Sequence, residues 1–128
     1  MTQTVLTIKR LLRANEKLAR LDRETLLVTR GNLFSKTAGK DDLERRHYSP
    51  AFSDITDRAL VVRVRTLENE IGTLENSLLI QSALYDQRRM RSSVLRERLK
   101  VAEAYARRRQ EELQLQEMIS IQNWDRQR

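Results

Sequence analysis

The chain has 128 residues, a net charge of +7 and no cysteine; 39% of its residues are apolar, 5% aromatic and 34% charged. That composition excludes disulfide and thiolate chemistry, and no apolar run approaches the roughly 20 residues that a membrane span needs. With only three glycines and one proline, turns are scarce, so the expected elements are long helices with narrow apolar stripes.

The N-terminal sequence, Met1-Thr2-Gln3-Thr4-Val5-Leu6, lacks a basic region followed by a long apolar one, so no secretory signal is expected. A first helix is expected over about residues 2–46. Leu11, Leu18, Leu21 and Val28 recur along it at steps of 7, 3 and 7, and Val5, Ile8, Leu12 and Ala19 form a neighbouring stripe. Arg10, Arg13, Lys17 and Arg20 share a cationic face. Gly31 and Gly39 weaken the helix beyond Arg30 and predict fraying there.

Residues 47–53 hold the only proline. Ser49-Pro50 suits a helix start, because serine caps and proline tolerates the first helical position; a chain reversal is expected here. A second helix follows over about residues 54–122, then a short C-terminal tail. Its seam is the clearest pattern in the chain: Leu60, Val64, Leu67, Ile71, Leu74 and Leu78 step by 4, 3, 4, 3 and 4. That spacing is an a/d heptad repeat and requires a helix that lies along another helix. In register, the seam meets Gln81, Tyr85, Arg88 and Ser92, then recovers at Leu95, Leu99, Ala102 and Ala106. The polar stretch is either an imperfection or a place where two helices separate. The expected fold is all-α: one domain of two long helices in an antiparallel coiled-coil hairpin.

A reversal near residue 49 would set Arg10 beside Arg88 and Met1 beside Glu97. The C-terminal part of the second helix, with Leu99, Leu113, Met118, Ile119, Ile121 and Trp124, would then overhang the first, and exposed seams ask for a partner. Charge is uneven: residues 1–47 carry 11 cations against 6 carboxylates, residues 48–86 carry 3 against 6, residues 87–109 carry 9 against 2, and residues 110–128 carry 2 against 4. The basic stretches therefore gather toward the open end of the hairpin.

No catalytic constellation is visible, and no enzymatic activity, metal or cofactor is expected. His47 is the only histidine, so His-based metal sites and Ser-His triads lack their parts; alone, it reads as a surface residue or a titrating switch. Gly39-Lys40 has no glycine five residues before it and is not a phosphate loop. Asp41-Asp42 and Glu111-Glu112 are sequence neighbours, which do not face each other on a helix. The run Arg107-Arg108-Arg109-Gln110 reads as a solvated face, a contact to an acidic protein partner, or a non-specific phosphate contact. Tyr85 and Tyr105 are too sparse for a base-stacking platform. Tyr48 and Phe52 pack internally or serve as anchors for a partner at the reversal. Trp124 reads as a tail aromatic or as a binding hot spot.

The run Arg107-Arg108-Arg109-Gln110-Glu111-Glu112-Leu113, followed by Glu117-Met118-Ile119, resembles the C-terminal part of the flagellar export stalk proteins, the FliJ family. His47-Tyr48-Ser49-Pro50-Ala51-Phe52 resembles the mid-chain turn of some members. The resemblance implies a non-enzymatic antiparallel coiled coil, cytoplasmic and at the inner face of the membrane. It would sit in the pore of the hexameric type III export ATPase and contact the export-gate membrane protein. On that reading Arg107, Arg108, Arg109 and Gln110 face the ATPase, supported by Arg88, Arg89 and Arg91, while Tyr48 and Phe52 serve the other end. Two alternatives use the same residues: a generic coiled-coil scaffold or homo-oligomer, and a basic helical protein that binds nucleic acid non-specifically. No small-molecule substrate and no membrane insertion are expected.

Overall fold

The computed structural model describes residues 3–47 and 54–127, with side chains described over 3–46 and 58–127. The fold is all-α. Helix α1 spans Gln3–His47 and helix α2 spans Asp54–Arg126. Neither contains a proline, and the two pack antiparallel as a helical hairpin. Among the described residues no helix is long and apolar enough to cross a membrane. The hairpin divides into two units: Leu18–Gln87, and Met1–Lys17 with Arg88–Arg128.

In the Leu18–Gln87 unit, α1 turns Ala19, Asp22, Leu26, Thr29, Leu33, Lys36, Lys40 and Leu43 toward α2. From α2, Leu60 and Leu67 are buried and Val64, Ile71, Leu74, Leu78, Gln81 and Tyr85 are half-buried. The lysines join a packed face by laying their aliphatic stems along it. Lys36 Nζ reaches Glu70 Oε2 at 2.8 Å, and Lys40 Nζ reaches Glu68 Oε1 at 3.4 Å. Both ion pairs cross the helix interface and hold its register.

In the other unit, Val5, Ile8, Leu12 and Asn15 of α1 face Arg88, Ser92, Leu95, Leu99, Ala102 and Ala106 of α2. Val5 and Leu95 are buried, and so are Asn15 and Ser92. Asn15 Nδ2 donates to Ser92 Oγ at 2.6 Å and to the Arg88 carbonyl at 2.7 Å. At the rim, Arg96 pairs with Glu16 at 2.9 Å and Lys9 with Glu103 at 3.9 Å. The helices do not separate at Ser92; a polar pair replaces the apolar one.

The structure decides one open point and corrects two expectations. The packed face of α1 is the Val5–Leu12–Ala19 stripe, and Leu11, Leu18, Leu21 and Val28 are all exposed, Leu18 least so at 43%. The two stripes lie one residue apart, roughly 100° around the helix. The one chosen keeps its 3-4 spacing as far as Leu43 and ends on lysines that meet Glu68 and Glu70. The leucine stripe runs out after Val28 into Asn32 and Ser35.

Second, Arg88 lies against Asn15 rather than Arg10. The expected reversal at Ser49-Pro50 lies outside the described residues. The shift draws Leu99 into the packed face and shortens the overhang. Third, Gly31 and Gly39 do not interrupt α1, and α2 continues through Trp124 to Arg126.

Candidate functional site

The seam of α2 changes character after Leu99. Its next two positions are Ala102 and Ala106, whose methyl groups are too small to fill the space that leucines occupy earlier. The result is an open groove of about 980 Å³ within the Met1–Lys17/Arg88–Arg128 unit. Thr4 and Ile8 of α1 form one wall, and Val101, Tyr105 and Leu113 of α2 form the other with the two alanines as floor. Glu97, Arg98, Arg109 and Gln110 edge it. Tyr105, an amphipathic ring suited to interfaces, is 70% exposed.

Arg107 and Arg108 stand on the exposed side of the same turn. Among the described residues no carboxylate pairs with Arg107, Arg108 or Arg109. Of the preceding acids, Glu97 is met by Lys100 at 3.5 Å and Glu103 by Lys9 at 3.9 Å, while Glu111 and Glu112 stand one turn beyond the run. The arginine cluster is therefore available to an external anion, with apolar surface beside it.

From Arg107 to Gln127 every residue is exposed, including Leu115, Met118, Ile119, Ile121 and Trp124. Among the described residues, α1 begins at Gln3 and the last residue of α2 that lines the groove is Leu113.

The contact candidates fall into two groups. Arg109 and Gln110 line the groove, Arg107 and Arg108 are exposed on the same turn, and Arg89 and Arg91 are exposed on preceding turns. Arg88 is half-buried on the packed face, with its carbonyl engaged by Asn15. Tyr48 and Phe52 lie outside the described residues. The eight seam residues, Leu60 to Leu78 with Leu95 and Leu99, form the packed side of α2 and belong to the scaffold.

Sequence reasoning missed the groove. Its signal was the pair of alanines at consecutive seam positions, read as part of an intact seam. It also left open which of the two apolar stripes of α1 is packed. A second depression, about 630 Å³, lies in the Leu18–Gln87 unit among Asn32, Lys36, Thr66, Asn69, Glu70, Thr73 and Leu74. Its lysine and carboxylate are paired with each other. Among the described residues no three His, Asp or Glu side chains cluster as metal ligands would. No known protein family, curated protein or solved structure matches this chain.

Proposed function

We propose that this chain is a non-catalytic coiled-coil adaptor that binds another protein through the basic, apolar-grooved surface around Arg107–Gln110. The specific form we favour is the stalk of a flagellar type III export ATPase, cytoplasmic and at the inner face of the membrane, linking the ATPase ring to the export gate. One observation carries the adaptor reading: an open apolar groove is edged by Arg98 and Arg109, and Arg107 and Arg108, with no carboxylate partner among the described residues, stand on the same turn as Arg109. Apolar area with a charged rim is the anatomy of a protein interface. The export reading adds to this the resemblance of the Arg107–Leu113 and Glu117–Ile119 runs to the stalk proteins.

The test is direct binding of the full chain to a purified hexameric export ATPase by calorimetry. Binding that weakens at least about tenfold in the Arg107→Glu/Arg108→Glu/Arg109→Glu variant supports the reading. No binding at about 100 µM of either component would remove the export ATPase as partner. The nucleic-acid alternative predicts duplex binding with a steep salt dependence, so a salt titration against any duplex DNA separates the two.

A further inference from the structure

Segment 111–126 of α2 is helical, and nothing among the described residues packs on it. An isolated helix of about four turns is marginal in water. This one also exposes Leu115, Met118, Ile119, Ile121 and Trp124, each more than half accessible. Such a surface calls for cover, and the chain itself carries a matching one.

Residues 97–109, along the groove, hold five cations, Arg98, Lys100, Arg107, Arg108 and Arg109, against two carboxylates. Both carboxylates are already met by lysines. Residues 111–126 hold four carboxylates, Glu111, Glu112, Glu117 and Asp125, against the single cation Arg126. The groove lining itself carries Arg98 and Arg109 against Glu97, within a segment that has three excess cations, and the tail segment has three excess carboxylates. The two segments adjoin each other on one continuous helix, so segment 111–126 cannot fold back into the groove of its own chain.

We propose that a second copy of this chain fills the groove with its own segment 111–126 and receives the same segment in return. A two-fold axis across α2 near residues 111–113 lays each tail antiparallel along residues 97–113 of its partner. Both grooves are then filled at once, as a closed, isologous dimer requires. Ile119 enters beside Tyr105 and Trp124 beside Val101, while Glu117 approaches the Arg107–Arg109 run and Asp125 approaches Arg98. The dimer occupies the surface that the export reading gives to the ATPase, and the two fail separately: dimerisation is measured without any ATPase, and ATPase binding by its own titration.

The experiment is sedimentation equilibrium of the full chain from about 1 to 100 µM, with variants checked for helicity. The expected result is twice the chain mass. Leu115→Glu with Ile119→Glu, which touches no other part of its own chain, should raise the dimer dissociation constant at least about tenfold without loss of helix. Because the chain has no cysteine, single-thiol variants map the axis. At least one of Glu111→Cys, Glu112→Cys and Leu113→Cys should oxidise to a disulfide-linked dimer, while Arg63→Cys should not. A monomer throughout overturns the proposal. So does a dimer indifferent to the two glutamates, or one that none of the three thiols near the axis can link. A monomer whose Val101 and Tyr105 NMR signals shift with an acidic amphipathic peptide also overturns it, and assigns the groove to a helix of another protein.

Discussion

Asn15 and Ser92 are buried against each other, with the Asn15 amide donating to the Ser92 hydroxyl at 2.6 Å. The second amide hydrogen goes to the Arg88 carbonyl at 2.7 Å. A polar pair at a seam position costs stability relative to two leucines, yet it is satisfied only when the helices stand in this alignment. The Ser92→Ala variant leaves part of a buried amide without its acceptor and should cost about 1–3 kcal/mol in urea unfolding. Asn15→Leu combined with Ser92→Ala should recover that loss, and a double-mutant cycle reads the coupling. Additive losses would show that the pair does not hold the register.

The choice between the two stripes of α1 has a direct stability signature. Leu26 of the packed stripe is 5% exposed, so Leu26→Ala should cost about 2–4 kcal/mol. Leu18→Ala and Leu11→Ala, on the exposed stripe, should change unfolding free energy by no more than about 0.5 kcal/mol. Equal losses at Leu18 and Leu26 would contradict the packing described.

Gln81 continues the seam of α2 between Leu78 and Tyr85, and its side-chain oxygen is buried without a hydrogen-bond partner. Such an oxygen forgoes its bonds to water and gains none in return. Gln81→Leu should therefore raise stability by about 1–2 kcal/mol, read as a higher urea midpoint at unchanged slope. A destabilised variant would indicate that the oxygen is satisfied in solution.

The three glycines all sit inside helices, and a methyl group added at Gly31, Gly39 or Gly72 meets no atom within 4 Å. Each Gly→Ala change should stabilise by about 0.5–1 kcal/mol through the lost freedom of the unfolded chain. Thermal unfolding of the triple variant measures the sum. A neutral result would mean that the helices already fray at these positions.

The Lys36–Glu70 and Lys40–Glu68 pairs cross the interface but remain open to water, with side-chain exposures from 27% to 50%. Their coupling energies should stay below about 1 kcal/mol each and shrink at high salt. They bias the alignment rather than carry the stability of the hairpin.

The all-α hairpin was legible from composition and spacing. Two glycine-poor, charge-rich stretches on either side of the only proline leave few other folds, and the Leu60–Leu78 repeat demands a helical neighbour. The packed face of α1 was not legible. Leu11, Leu18, Leu21 and Val28 look more like a core than a row holding Asn15, Thr29, Lys36 and Lys40. Hydropathy ranks residues one at a time, whereas a seam is chosen by what stands across from it. Ser92 satisfies Asn15, Glu68 and Glu70 receive the lysine heads, and neither fact exists until the helices meet.

The sequence by itself determined the elements and their periodicity, because helix propensity and heptad spacing act along the chain. Only the tertiary structure decided the register and the face of α1, and with them the groove beside Ala102 and Ala106. These depend on pairs of side chains some 30 to 100 residues apart in sequence, whose fit no local pattern encodes.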